Sequence, residues 1–178
     1  MEETTKILKT GGIGIMPTDT IYGLLGSALN KKTVARIYQI RRRQPDKPFI
    51  ILIGSLKDLA NFDIKPTTEE LAVLKKYWPG KVSIILSLQK KKENLDSRRS
   101  LSSQRWGPAL GNDKGDKFSY LHRRTKTLAF RLPKNKWLQN LLKKTGPLVA
   151  PSANPEGLPP AKNITEARKY FGNKVDFY

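Results

Sequence analysis

The chain has no cysteine and a single histidine among its 178 residues. Without thiols it can form neither a disulfide nor a thiolate metal site, which suits a reducing compartment such as the cytoplasm. His122 alone cannot supply a Ser-His-Asp triad or a histidine-based metal centre. It falls in a loop-like stretch and is expected on the surface, with no catalytic role. Acids are scarce, 15 Asp and Glu against 34 Lys and Arg, and their scatter argues against paired-carboxylate chemistry. No apolar run approaches the ~20 residues of a membrane span, and MEETTKILKTGG at the N-terminus is too polar for a secretory signal. These absences predict a soluble cytoplasmic protein with no membrane partner, and they argue against a histidine triad, a thiolate or histidine metal site and a paired-carboxylate mechanism.

What is abundant is positive charge. The formal net charge of +19 favours polyanionic partners, nucleotide phosphates or nucleic acid. A solvated basic surface is the bland alternative.

Apolar runs and amphipathic stretches alternate along the chain. GIGIMP, within residues 11–17, reads as a buried strand that ends at Thr18, Asp19 and Thr20. Asn30 can cap a helix running to about Arg42, with Val34, Ile37 and Tyr38 on its apolar face. PFIILI is a continuously apolar strand, and Thr67 with Glu70 forms a capping box ahead of Leu71, Leu74 and Trp78. KVSIILSL and TLAFRLP are further strands; in the latter Leu128, Phe130 and Leu132 share one face and Arg131 points to the other. KWLQNLLKKTG is a helix stopped at Gly146, LVAP is a strand, Asn163 starts the last helix, and VDFY begins another strand. The mixture predicts one α/β (α+β) domain over residues 1–178, built around a single sheet.

Residues 89–126 differ. Rich in Lys, Arg, Ser, Gly and Asn and without sustained periodicity, they read as a long basic insertion. Lys90, Lys91, Lys92, Arg98, Arg99 and Arg105, with Trp106 and Tyr120, could grip RNA by charge and stacking; a solvated flexible loop fits the composition equally well.

Candidate chemistry lies at the ends of the strands. GSALNKKT, residues 26–33, resembles a phosphate loop, but Lys31 stands where its second glycine belongs and a Cβ there obstructs the backbone cradle. RRRQPDKP, residues 41–48, is a better anion site. A helix C-terminus calls for one or two cations, whereas Arg41, Arg42, Arg43 and Lys47 cluster around a proline-stiffened turn. Polar groups also gather in PTDTIYGL, at Arg131, and at Ser152 and Asn154, which three prolines follow closely. Ligands of α/β sheets bind at such strand ends.

Five blocks in this order, PTDTIYGL, RRRQPDKPFIILI, YWPGKVSIIL, LAFRLP and APSANPEGLPP, resemble the YrdC/Sua5/TsaC family of L-threonylcarbamoyladenylate synthases. The resemblance covers most of residues 11–88 and 126–172. It implies a twisted mixed sheet with flanking helices and a basic cavity on one face. It implies a nucleotidyltransferase that joins L-threonine, bicarbonate and ATP into threonylcarbamoyl-AMP and releases pyrophosphate, with Mg²⁺ carried on the ATP phosphates and no side-chain metal site. The adenylate would pass to a transferase that makes t⁶A at position 37 of tRNA, and tRNA itself is a candidate partner.

By position, Thr20, Leu52, Arg131 and Ala150 match the family's threonine-binding residues, Arg131 opposite the amino-acid carboxylate. Arg43, Lys47, Thr127, Ser152, Asn154 and Pro160 match its ATP-binding residues, with Tyr22 in the same wall and Arg41, Arg43 and Lys47 as electrostatic stabilisers. Ser152 and Asn154 are expected to face the triphosphate and its Mg²⁺, held there by the prolines. The chemistry agrees with the residues: the carbamate is itself the nucleophile, so what is needed is cations and preorganised donors around the phosphorus.

The chain departs from the family in three places. Arg41 replaces the lysine of K-x-R, WPGK replaces WPGP, and a Gly- and Ser-containing strand usually follows VDFY. The alternatives are an RNA-binding module on the same fold without turnover, a degenerate inactive synthase, and a relative of the carbamoyl-handling segments of hydrogenase-maturation proteins.

Overall fold

The computed structural model describes residues 2–88 and 116–178. In chain order these form α1 (Glu2–Lys9), β1 (Ile13–Pro17), β2 (Tyr22–Ser27), α2 (Lys31–Arg41) and β3 (Ile50–Leu52). A 3₁₀ segment (Leu56–Phe62), α3 (Thr68–Tyr77) and β4 (Ile84–Ser87) follow. After the undescribed stretch come α4 (Ser119–His122), β5 (Thr127–Arg131), α5 (Lys136–Thr145), β6 (Leu148–Val149) and α6 (Ile164–Phe171).

The mixed α/β architecture read from the sequence is the one observed. Six strands make one sheet in the order β1-β2-β6-β3-β5-β4. Every neighbouring pair is antiparallel except β3 and β5, which run parallel with Leu52 opposite Arg131. The two faces carry separate apolar clusters. Val34 and Ile37 of α2, Leu74 of α3, Leu121 of α4 and Phe171 of α6 pack with Phe130 on one. Leu8 of α1 and Leu138, Leu141 and Leu142 of α5 pack with Leu25, Leu52 and Leu148 on the other.

Local signals fix the helix ends. The Asn30 side chain accepts from the amides of Lys32 and Thr33, and α2 ends where Arg42 turns left-handed at φ 51°. Thr67 and Glu70 close the expected capping box of α3, while Asn135 and Asn163 cap α5 and α6.

Several elements depart from the sequence expectation. Tyr22–Ser27 is a strand, hairpinned onto β1, where only a polar strand end was expected. Its glycines hide the pattern, and they serve close packing: a Cβ on Gly26 would lie 2.5 Å from the Thr33 side chain of α2. The terminal segment does continue as backbone pairing, through a parallel bridge of Phe177 to Gly14 at the outer edge of β1.

Of the stretch expected as one loop over 89–126, residues 116–126 are described, and they include helix α4. His122 is fully buried rather than on the surface: its Nε2 lies 2.8 Å from Asp116 Oδ2, and its Nδ1 accepts the Arg124 amide. Tyr120 donates its hydroxyl to the Ala28 carbonyl and is half-buried, so it is no free stacking platform. Lys90, Lys91, Lys92, Arg98, Arg99, Arg105 and Trp106 lie outside the described residues. Among the described residues no helix is long and apolar enough to cross a membrane.

Candidate functional site

A cavity of about 310 Å³ opens where the β1–β2 turn, the end of α2, the start of β3, the end of β5 and the exit of β6 meet. The topology explains the convergence. Because β3 and β5 run parallel, Leu52 and Arg131 finish side by side. Since β6 runs antiparallel between β2 and β3, its exit at Ala150–Ser152 passes Ile50 at the start of the short β3, with Ser152 bridging Gly23.

Arg131, 15% exposed at its side chain, lines the cavity. Its Nε and Nη2 both donate to the Ser83 hydroxyl, at 3.1 and 3.0 Å, which fixes the plane of the fork. Nη1 lies 3.5 Å from both Asp19 Oδ1 and Thr20 Oγ1. The Asp19 pair is thus a charge contact at the long limit of a hydrogen bond, and Asp19 Oδ2 is buried with no hydrogen-bond partner among the described residues. Thr20 sits in the turn closed by Thr18, whose amide and hydroxyl both donate to the Ile21 carbonyl. Leu52 and Ala150 supply apolar wall.

Arg41, Arg43 and Ser152 line it too. Arg41, 3% exposed, is held by neutral oxygens: Nε donates to the Asn154 carbonyl at 2.9 Å, and Nη2 to Ser152 Oγ and Asn154 Oδ1, each at 3.2 Å. Burial, then the neighbouring Arg43 cation, lowers its pKa to about 10, so it keeps its charge at neutral pH. Both guanidiniums lie over the Phe49 ring, at 5.9 and 5.5 Å from its centroid. Phe49 stacks in turn on Tyr38 at 4.1 Å. Two cations with no carboxylate in hydrogen-bond contact among the described residues suit an incoming polyanion.

The 152–158 loop clamps the arginine turn. The Asn154 Nδ2 donates to the carbonyls of Pro155 and Leu158 while its Oδ1 takes Arg41. Glu156 donates its amide to the Arg41 carbonyl, and its carboxylate accepts from the Gln44 amide and Lys47 Nζ, at 2.6 and 2.8 Å. The Lys47 ammonium, then the Gln44 amide, holds the Glu156 carboxyl below its ordinary range.

Of the residues singled out in the sequence, Thr20, Leu52, Arg131, Ala150, Arg41, Arg43 and Ser152 line one cavity. Asn154 does not border it: its side chain bonds Arg41 and the loop's own carbonyls. Lys47 turns to Glu156, the Thr127 hydroxyl bonds that of Thr125, and neither these two nor Pro160 or Tyr22 borders the cavity. Sequence reasoning missed Ser83 and Glu156, because nothing local marks a residue whose partner lies 48 or 109 positions away. It also missed Asp19, although the PTDT turn contains it.

Comparison with known proteins follows the same outline. The family described as Sua5_yciO_yrdC: Telomere recombination matches residues 6–178. A threonylcarbamoyl-AMP synthase of Nitrosococcus oceani is 28% identical over 173 residues, 97% of this chain and 80% of that protein. The Bacillus subtilis threonylcarbamoyl-AMP synthase is 26% identical over 158 residues, 88% of this chain and 39% of that one. P. abyssi Sua5, solved in complex with L-threonine, superposes with a TM-score of 0.73 at 23% identity, over 98% of this chain and 44% of that one. The chain thus spans less than half the length of the latter two proteins.

Proposed function

Since the chain belongs to the Sua5/YciO/YrdC family, we propose that it condenses L-threonine, bicarbonate and ATP into threonylcarbamoyl-AMP and pyrophosphate. The observation that carries this reading is that Arg131 and the Arg41–Arg43 pair line one 310 Å³ cavity while Arg131 and Arg41 are held by separate sets of partners, Ser83 for the one and Ser152 with Asn154 for the other. The reaction needs an amino-acid carboxylate at one end and a polyphosphate at the other, held together against their repulsion.

The Arg131 fork, oriented by Ser83, takes the threonine carboxylate. The Thr20 hydroxyl offers a neutral polar contact beside it, and Leu52 and Ala150 take the threonine methyl. Bicarbonate and the threonine amine give a carbamate with loss of one water, the C–OH bond breaking as the N–C bond forms, and a carbamate oxygen attacks the α-phosphorus of ATP. A P–O bond forms to the carbamate, the bond to the β-phosphate breaks, and pyrophosphate leaves. Arg41, Arg43 and Ser152 bear on the charge that develops there; Arg41 and Ser152, anchored to each other already, need little reorganisation. Lys47 acts through its tie to Glu156, and Asn154 through Arg41. A cavity of this size lies at the lower end of those that hold small ligands, so part of the nucleotide extends over the rim, towards Thr127 and Pro160. Magnesium would ride on the triphosphate: Asp19, the acidic side chain in the cavity wall, is 5% exposed and faces Arg131, a poor fit for a protein-held metal. The adenylate would be consumed by a transferase that modifies tRNA adenosine to t⁶A.

The test is pyrophosphate release from MgATP, with threonine and bicarbonate each omitted in turn and the adenylate detected by mass. Release requiring both supports the synthase. ATP and threonine binding without release identifies an inactive member of the fold. Failure to bind either overturns the reading.

A further inference from the structure

A second basic cavity lies apart from the proposed synthase site. It measures about 460 Å³, and Lys31, Asp46, Tyr120, Arg123 and Arg124 stand in its wall, none of which borders the first cavity. It forms between the start of α2, the 45–46 turn and α4.

Three cations face one carboxylate here, and among the described residues none of these four makes an ion pair. Lys31 opens α2, where the helix dipole adds positive potential. Arg123, which ends α4 as its C-cap, and Arg124 after it both have left-handed backbones, φ 47° and 75°, a conformation that side chains with a Cβ rarely adopt. The pose is held from beneath. Buried His122, paired with Asp116, accepts the Arg124 amide on Nδ1, and the Arg123 guanidinium lies 4.1 Å from the Tyr38 ring centroid. Arg123 Nε is buried and has no hydrogen-bond partner among the described residues. A buried histidine, a strained backbone and a ring face are thus used to present guanidiniums, and no acid among the described residues pairs with them.

We propose that this cavity is a second anion site that takes a phosphate group, from an RNA backbone or from a free phosphate or pyrophosphate. Lys31 and Arg124 are exposed at its rim and can follow a chain of phosphodiesters, and the molecule's +19 charge favours the polymer as their source. The proposal stands independently of the synthase reading.

The experiment uses the whole ¹⁵N-labelled chain with two probes, inorganic pyrophosphate and an oligouridylate of about twelve nucleotides. Backbone amide shifts at Lys31, Tyr120 and Arg124 locate binding, and fluorescence anisotropy between about 50 and 200 mM salt gives affinity and its salt slope. Lys31→Gln with Arg124→Asn removes two charges, asparagine being chosen because it tolerates the left-handed turn. This pair should weaken oligouridylate binding roughly tenfold, and flatten the slope by about 0.7 for each phosphate no longer neutralised, with the melting temperature unchanged. Asp46→Asn should tighten binding. The control pair Lys57→Gln and Lys169→Gln, exposed and outside the cavity, should change it less than about twofold. Amide shifts with pyrophosphate but not with RNA would sustain the site and identify a free anion as its ligand. Equal weakening by both pairs without shifts at the cavity amides would reduce the effect to diffuse charge and overturn the proposal, as would the absence of binding by either probe.

Discussion

Arg131 illustrates how much depends on a residue's neighbours. Both Ser83 bonds come from Nε and Nη2, so the fork cannot rotate without breaking them. Arg131→Lys retains charge but loses the planar pair of donors, and should lower threonine-dependent pyrophosphate release on the order of 10²-fold. Ser83→Ala removes only the orienting acceptor and should raise the KM for threonine by about fivefold, the worth of one hydrogen bond. Equal activity in both variants would remove Arg131 from the site. Asn154 makes the opposite kind of prediction. Its replacement by Ala strips one acceptor from buried Arg41 and the donor from two carbonyls, at a cost of about 2–3 kcal/mol. Calorimetry should show a lower Tm; an unchanged Tm with ATP binding lost would restore Asn154 as a direct ligand. Its residue type and motif were legible, but its direction was not, since an Asn in a proline-rich turn can face the ligand or bond its own loop.

At the level of elements, the clamp between the 152–158 loop and the arginine turn carries a pH signature. The Glu156 carboxyl is held below its ordinary value of 4.5 by Lys47 and the Gln44 amide. A depressed folded pKa means that the carboxylate's contribution is present above the unfolded value and is lost as pH falls through the folded one. ATP affinity should therefore hold steady from neutral pH and weaken only below about pH 4.5, and Glu156→Gln should show the weakened state already at pH 7, with KM for ATP raised by up to about fivefold. Identical pH profiles for the two proteins would exclude the clamp. The elements themselves were unevenly readable. Helices with Asn or Thr caps and strands with continuous apolar runs announced themselves, because both signals are local. Strand β2 was obscured by Gly23 and Gly26, which are small because Thr18 and α2 press against them. Helix α4 was obscured by its basic, loop-like surroundings, and burial of His122 depends on an acid six residues away that composition cannot single out.

Across the whole molecule, charge and topology act separately. The formal charge of +19 sets a salt dependence for any polyanion, whereas in the function proposed above threonine would be selected by Arg131, Thr20 and the apolar wall. Raising salt should therefore weaken ATP and RNA binding more steeply than threonine binding, which isothermal titration at two ionic strengths would reveal.

The strand order has one more consequence, for the order of folding. Among the described residues, strand β6, Leu148–Val149, is what joins the β1–β2 hairpin to the β3–β5–β4 half of the sheet. On a ribosome, most of the chain must emerge before the sheet's middle closes. Until β6 is in place the pairing edges of β2 and β3 that it fills have no partner from it, and an unpaired strand edge is a surface prone to association. Because these pairings join distant parts of the chain, refolding should be slow for its size.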